Sequence, residues 1–308
     1  MCRDRAHAQA THGSDVVGTV GAPTVRAVSA RVVRVAAVQM NSGTDLAANR
    51  AAAVRLVSEA ADRGATYVQL PEYTPFLGPT RGYAAAAETI PGPTTRALAA
   101  LARRHRVIVH VGSLLERTDG LPYNTSVVIG PHGRIVARYR KTHLFDVDVP
   151  GTVRYRESDG LSRGDELVVA HLRPFDLGLS VCFDVRFPEL YRALSARGAE
   201  VLAIPAAFNA GTGASHWDVL VRARAIENHA FVVAATQAGV TTEGIATYGH
   251  AMIVGPWGDV RARSHGDDPQ VVVADIDLDE VARRREQIAV LRFRRPTLYR
   301  RRVRIAGA

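Results

Sequence analysis

Three ionisable residues of different types each follow a segment that is predicted to be a buried strand. Glu72 ends TYVQLPE, Lys141 follows the strand in ARYRKTHLFD, and Cys182 follows the apolar run Leu177–Val181. Taken singly, each has an ordinary explanation, because carboxylates and lysines are mostly solvated and free cysteines usually pack as small apolar groups. Open α/β sheets, however, bind ligands at the carboxyl ends of their strands. We therefore expect the three side chains to share one site.

Cys182 is placed at a turn between a strand and a helix. The segment PELYRALSARG has helical spacing, with Pro188 at its start and Gly198 at its stop. A thiol in that position is exposed to the helix N-terminus, which can lower its pKa.

These residue types suit attack by a thiolate on an amide-like carbon. Glu72 would take the thiol proton and later activate water, while Lys141 would stabilise the developing oxyanion and position Cys182. No histidine base is required, and the sequence shows no local signature of a papain-like pair. Four histidines are expected to be core or hydrogen-bonded residues: His143, His216, His229 and His250.

The motifs LPEY, YRKTHLFD and VCFDVRFPE, in this order, resemble the Glu-Lys-Cys signature of the nitrilase (carbon-nitrogen hydrolase) superfamily over about residues 32–299. The resemblance implies a four-layer αββα sandwich of two mixed β-sheets with outer helices, and a homodimer or higher homo-oligomer. The sequence contains no nucleotide-, zinc- or calcium-binding motif, so we expect no cofactor or metal. The resemblance also implies a second glutamate, Glu157, that holds Lys141 charged and oriented. The backbone N–H of Phe183 is the expected second oxyanion donor.

Shorter sequence motifs indicate which branch of the superfamily the chain resembles most. Cys182 is followed by Phe-Asp rather than the Trp-Glu typical of nitrile-hydrolysing members. KTHLFDVDVPG and AFNAGTGASHWDVLVRARAIEN most resemble the branch that contains omega-amidase and deaminated-glutathione amidase. This implies a hydrolase of linear amides whose small substrate carries a carboxylate. An N-carbamoyl-amino-acid amidohydrolase and a catalytically silent interaction module of the same fold remain alternatives.

A substrate carboxylate requires a cation with directed donors, and Arg186, four residues after Cys182, is the best-placed candidate. Its alternative is a structural salt bridge to Glu189 or Asp184. Loops that follow the strands of the site supply three further candidate pocket residues, whose alternative roles are packing and turns: Tyr73, Phe208 and Thr212.

The chain from Val32 onward alternates apolar strands with helical segments, which is typical of an α/β protein. VVRVAAVQM, TYVQLPE and RVIVHVGSLLE are predicted strands, and YNTSVVIGPHGRIVARYRK is a predicted hairpin. The second half repeats this order: RGAEVLAIPAAF echoes RGATYVQLPEYTPF, and YGHAMIVGPWGDVRAR echoes YNTSVVIGPHGRIVAR. We infer two similar halves packed sheet on sheet.

The net charge of +9 is confined to one end of the chain. Residues 281–308 hold ten Arg and one Glu, and the rest of the chain is balanced, with 29 basic and 29 acidic residues. This argues against nucleic-acid binding as the main role. Two cysteines are too few for a disulfide framework, which suits the cytoplasm, and no apolar run is long enough to span a membrane. We predict a disordered extension over 1–31, one domain over 32–299 and a basic tail over 300–308.

Overall fold

The computed structural model describes residues 31–151 and 153–301. Within these ranges the strands are β1 (Val32–Met40), β2 (Tyr67–Gln69), β3 (Ile108–His110), β4 (Leu114–Glu116), β5 (Tyr123–Ile129), β6 (Ile135–Arg140), β7 (Asp146–Val149), β8 (Val153–Arg156), β9 (Val169–His171), β10 (Asp176–Gly178), β11 (Val201–Ala203), β12 (Phe231–Ala234), β13 (Thr236–Val240), β14 (Ala246–Tyr248), β15 (Met252–Val254), β16 (Val260–Arg263) and β17 (Gln270–Asp277). The helices are α1 (Leu46–Asp62), α2 (Tyr83–Ala86), α3 (Pro93–His105), α4 (Pro188–Ala196), α5 (Ala210–Asn228), α6 (Asp279–Gln287) and α7 (Pro296–Tyr299). Short 3₁₀ turns cover Thr80–Gly82, Glu157–Asp159 and Cys182–Arg186.

The two halves build two sheets with the same strand pattern. In the first, β1, β2 and β3 are parallel, and β5 and β6 follow as antiparallel neighbours. In the second, β10, β11 and β12 are parallel, and β15 and β16 follow in the same way. Each hairpin carries a register shift at the matching place, Val128/Ile129 and Ile253/Val254. The predicted pseudo-two-fold arrangement is confirmed.

Alternate residues of β1 face opposite layers, as the period of a strand requires. Val33, Val35 and Ala37 pack in the core between the sheets, whereas Ala36, Val38 and Met40 pack in the core shared with α1 and α3. Side chains of α4 and α5 pack against the second sheet. The layers therefore run helix, sheet, sheet, helix, which confirms the predicted αββα sandwich.

Helix limits follow the signals in the sequence. Asp45 caps α1 by accepting hydrogen bonds from two backbone N–H groups, and Pro188 is the first residue of α4. Gly64 and Gly198 follow the ends of these two helices with φ values of +82° and +103°, which favour glycine.

One predicted strand is wrong. RVIVHVGSLLE forms two short strands, β3 and β4, interrupted at Gly112. Gly112 has φ +76°, and a Cβ there would lie 2.0 Å from the carbonyl oxygen of Pro71. The chain thus bends where its backbone passes close to the segment that carries Glu72, and only glycine fits that approach.

Most of the predicted extension and tail lies outside the described residues, namely 1–30 and 302–308. Arg31, which the prediction placed in the extension, contacts Glu200 at 2.9 Å between Nη1 and Oε1. Among the helices of the described ranges, none has the length and apolar character needed to cross a membrane.

Candidate active site

The candidate site lies at one end of the sandwich, where the two sheets meet. Glu72 and Lys141 follow β2 and β6, and these strands of the first sheet run in the same direction. Cys182 follows β10 of the second sheet, and Glu157 follows β8 of the two-stranded β7–β8 hairpin. Strand direction therefore brings Glu72 and Lys141 to one edge. Glu157 and Cys182 join them there, because all four residues line one cavity.

Lys141 is held between two carboxylates. Its Nζ lies 2.9 Å from Glu72 Oε1 and 2.8 Å from Glu157 Oε2. All three side chains are at most 2% exposed. Cys182 lines the same cavity. The structure thus brings a thiol, an ammonium and two carboxylates together as buried side chains, where electrostatic interactions are strong.

Cys182 has a left-handed backbone conformation, with φ +47°. This conformation costs a non-glycine residue about 1–3 kcal/mol and is often found at functional sites. A hydrogen bond from the Cys182 N–H to Pro205 O, 2.8 Å long, holds it. In the 3₁₀ turn the first hydrogen bond runs from the Asp184 N–H to the Val181 carbonyl oxygen. The Phe183 N–H lies one residue before this donor and is not part of that bond. That position is compatible with the predicted oxyanion role.

The thiol pKa differs from the sequence-based expectation. Burial first, and the negative charge of Glu72 second, raise the pKa of Cys182 well above its ordinary value, although Lys141 acts in the opposite direction. The expectation of a lowered pKa is wrong because α4 begins only at Pro188, and the sulfur is enclosed.

The surroundings of Lys141 strongly favour its charged ammonium form. Burial by itself lowers the pKa of Lys141, but the charges of Glu157 and Glu72 outweigh it, and the net pKa is raised well above the ordinary value. Lys141 is therefore charged at neutral pH.

Three further groups that the sequence analysis missed bind the carboxylates. Asn124 Nδ2 donates to Glu72 Oε1 at 2.8 Å, and the Ala207 N–H donates to Glu72 Oε2 at 2.8 Å. The Phe145 N–H donates to Glu157 Oε2 at 2.6 Å. Asn124 is the second residue of β5, which runs antiparallel to β3 and so starts at the edge of the site. Reading strand direction from the predicted hairpin would have found it.

The cavity has a volume of ≈ 440 Å³, within the size range of small-molecule sites. All the predicted pocket residues line it: Tyr73, Phe208, Thr212, Phe183 and Arg186. Tyr73 also donates to Glu157 Oε1 at 2.5 Å.

Arg186 forms no salt bridge with a carboxylate in the described part of the chain. Its guanidinium lies 5.2 Å from the ring centre of Phe208 and 3.3 Å from His216 Nδ1. Asp184, one alternative partner, is occupied by other donors, among them His143 Nδ1 at 2.7 Å. Burial lowers the pKa of Arg186. The structure therefore leaves a half-buried cation facing the cavity, as the substrate-binding prediction requires.

Histidine does not contribute to the lining of this cavity in the residues that the structure describes. The four histidines predicted to be core or hydrogen-bonded residues lie elsewhere: His143, His216, His229 and His250. Groups of three or more His, Cys, Asp or Glu side chains placed to hold a metal ion are absent from residues 31–151 and 153–301.

Layer order and strand pattern place the chain in the αββα class of α/β proteins. The profile described as carbon-nitrogen hydrolase matches residues 34–286. This chain belongs to the carbon-nitrogen hydrolase family.

Two amidases are similar to this chain over most of its length. An omega-amidase NIT2 of Xenopus tropicalis is 41% identical over 247 residues, covering 80% of this chain and 89% of the relative. A deaminated glutathione amidase of Synechocystis is 43% identical over 264 residues, covering 84% and 97%. The solved structure of a mutant amidase from Nesterenkonia sp. AN1, with acrylamide added to its active-site cysteine, superimposes with a TM-score of 0.73 at 25% identity, covering 87% and 98%.

Proposed function

We propose that this protein is a cysteine-dependent amidase. It hydrolyses the terminal amide of a small carboxylate substrate, of the 2-oxoglutaramate or deaminated-glutathione type, to the acid and ammonia. One observation carries the proposal: the Lys141 ammonium lies between Glu72 and Glu157 in the cavity that Cys182 lines. The similarity to an omega-amidase and to a deaminated glutathione amidase supports the same reaction class.

Glu72 is the base of the proposed reaction. Because the pKa of the Cys182 thiol is raised, the sulfur keeps its proton at neutral pH and needs a base at the moment of attack. Glu72 takes this proton while the sulfur bonds to the amide carbon. The carbonyl electron pair moves to oxygen, which Lys141 and the Phe183 N–H stabilise.

Collapse of the tetrahedral intermediate breaks the carbon–nitrogen bond. Glu72 returns its proton to the leaving nitrogen, ammonia departs, and a thioester to Cys182 remains. Glu72 then takes a proton from water, whose oxygen attacks the thioester carbon. The second collapse breaks the carbon–sulfur bond and releases the acid. Glu72 passes the proton taken from water to the leaving sulfur, which restores both the thiol and the carboxylate.

Arg186 supplies the proposed contact to the substrate carboxylate. Its guanidinium faces the cavity without a carboxylate partner in the described ranges and is only half-exposed. A bidentate contact to a carboxylate would therefore neutralise a guanidinium that has no carboxylate partner among the described residues.

A substrate panel scored by ammonia release tests the proposal. Expected substrates are 2-oxoglutaramate and deaminated glutathione; N-carbamoyl amino acids and simple nitriles are the comparison arms, and the Cys182→Ala variant is the blank. Ammonia released together with carbon dioxide from N-carbamoyl acids alone would assign the amidohydrolase activity instead. Absence of ammonia from both amides would refute the proposal.

We also propose a homodimer or higher homo-oligomer. Val219 and Ile226, seven residues apart on α5, are 65% and 46% exposed, and Trp257 is 50% exposed. Apolar exposure of this kind is typical of subunit contacts. Sedimentation of the wild type and of Val219→Glu tests this, and a monomeric wild type contradicts it.

Residues 32–299 are proposed as the single catalytic domain, with a cytoplasmic location that keeps Cys182 reduced. The expected result is full amidase activity in a 32–299 truncation and recovery of the native protein in the cytoplasmic fraction. Loss of activity in the folded truncation would show that a terminus contributes.

A further inference from the structure

Three tyrosine hydroxyls form a hydrogen-bonded row that ends on Glu157. Tyr73 Oη donates to Glu157 Oε1 at 2.5 Å, and Tyr83 Oη donates to Tyr73 Oη at 3.2 Å. The Oη atoms of Tyr83 and Tyr155 are 2.6 Å apart. Tyr73 and Tyr83 are buried, Tyr155 is half-buried, and all three line the cavity. We call Tyr73, Tyr83 and Tyr155 the tyrosine row.

The row has a direction. A phenol carries one proton, so it can donate only one hydrogen bond. Tyr83 gives its proton to Tyr73, and the short contact to Tyr155 must therefore be donated by Tyr155. Burial raises the pKa of Tyr73 and Tyr83 well above the ordinary value and that of Tyr155 to about 12. All three phenols keep their protons at neutral pH and point them toward Glu157.

Glu157 needs such donors. The buried cluster holds two carboxylates and one ammonium, so one negative charge is left for neutral donors to stabilise. Tyr73 and the Phe145 N–H contact different oxygens of Glu157, which fixes the orientation of the carboxylate against Lys141. Successive hydrogen bonds polarise one another, so Tyr83 and Tyr155 strengthen the bond that Tyr73 makes.

The row also joins the cavity wall to the charged cluster. Tyr155 belongs to β8 of the β7–β8 hairpin, whereas Tyr73 follows Glu72 directly and has φ +56°. The row thereby ties the segment that carries Tyr73 and Tyr83 to the strand that leads directly into Glu157.

We propose that Tyr73, Tyr83 and Tyr155 are positioning residues that fix the Glu157 carboxylate and, through it, the Lys141 ammonium. The catalytic part of this proposal rests on the amidase function proposed above. The structural part, that the row acts on Lys141 through Glu157, does not require turnover and can be measured separately.

Kinetics test the catalytic part. Tyr73→Phe keeps the ring and removes the last donor, and we expect kcat to fall about tenfold with KM changed less than about twofold, the size of one hydrogen bond to a charged group. Tyr83→Phe alone has a smaller effect and adds nothing in the Tyr73→Phe background, because the row is already cut there. Tyr299→Phe, an exposed tyrosine outside the cavity lining, is the matched control.

A spectroscopic readout tests the structural part. Lys141 is the only lysine of the sequence, so protein labelled with ¹⁵N-lysine gives one side-chain ammonium signal. Tyr73→Phe is expected to shift this signal, Tyr299→Phe is not, and in the Glu157→Gln background Tyr73→Phe should have no effect. An unchanged Lys141 signal and kcat in Tyr73→Phe, or an equal effect in both backgrounds, overturns the proposal. If the wild type hydrolyses no amide, the proposed amidase function is refuted. The lysine signal still tests whether the tyrosine row acts on Lys141.

Discussion

Asp184 Oδ1 lies 2.7 Å from His143 Nδ1, so the residue two positions after Cys182 contacts the residue two positions after Lys141. The other oxygen of Asp184 accepts the Val181 N–H at 2.8 Å, directly before the thiol residue. Asp184 is fully buried. A single carboxylate therefore links the turn of the second sheet that carries the thiol to the segment of the first sheet that carries the ammonium.

Replacing Cys182 by alanine should abolish turnover. Cys182 is the only thiol among the cavity-lining residues that the structure describes, and we expect kcat to fall about 10⁴-fold or more. Ammonia release from 2-oxoglutaramate and deaminated glutathione measures the change. Cys2→Ala, at the other cysteine of the sequence, is the control. Near-normal turnover in Cys182→Ala would contradict the covalent mechanism.

Glu157→Gln should lower the pKa of Lys141, because the charge of Glu157 is the largest influence that raises it. The oxyanion donor is then less well held, and we expect kcat/KM to fall about 10²-fold while the thermal midpoint still indicates a folded protein. Titration of the single lysine ammonium signal measures the pKa directly. Glu166→Gln, on the exposed surface, serves as the control. An unchanged lysine pKa and kcat/KM would refute this role.

Arg186→Gln should impair binding of carboxylate substrates selectively. Loss of a charged, bidentate contact is expected to raise KM about 10- to 100-fold for 2-oxoglutaramate and to change it little for a neutral amide of the same length. The neutral amide is the internal control for damage to the cavity. Equal changes in KM for both substrates would mean that Arg186 does not bind the substrate carboxylate.

His110 should make stability depend on pH. Burial lowers the pKa of His110 from 6.5 to about 3, so below pH 6.5 the unfolded chain takes up a proton that the folded chain refuses. The contribution of His110 to the free energy of unfolding is thus fully present above pH 6.5. Below that pH it falls by about 1.4 kcal/mol per pH unit as the pH drops toward 3.

Urea unfolding at pH 8 and pH 5 measures this contribution, which amounts to about 2 kcal/mol over that interval. In His110→Gln the pH 8 to pH 5 difference should shrink by this amount, even if the variant is less stable at both values. His265→Gln, whose side chain is exposed, should keep the full difference. A pH 8 to pH 5 difference in His110→Gln equal to that of the wild type would show that His110 is not the group responsible.

Much of the fold could be predicted because buried strands and helices space their apolar residues at regular intervals along the sequence. The alternation in β1 and the two matching hairpins are local patterns, and both proved correct. Glu72, Lys141 and Cys182 could be found because each follows a core strand. The sequence held one more signal: among 39 basic residues, Lys141 is the only lysine.

Other features depend on distances that no local pattern encodes. The raised pKa of Cys182 follows from enclosure by the packed sheets, and the break at Gly112 follows from its contact with Pro71. Tyr83 and Tyr155 are 72 positions apart, and only the folded chain shows that their hydroxyls meet.

The matching halves of the sandwich divide the reactive groups unequally. The first half of the chain carries Glu72, Lys141 and Glu157. The second half, which builds the second sheet, carries Cys182 and Arg186. A fragment of the first half would carry the proposed base without the proposed nucleophile, and a fragment of the second half would carry the proposed nucleophile without its base. Split-protein complementation of this enzyme should therefore restore activity only when both fragments dock face to face.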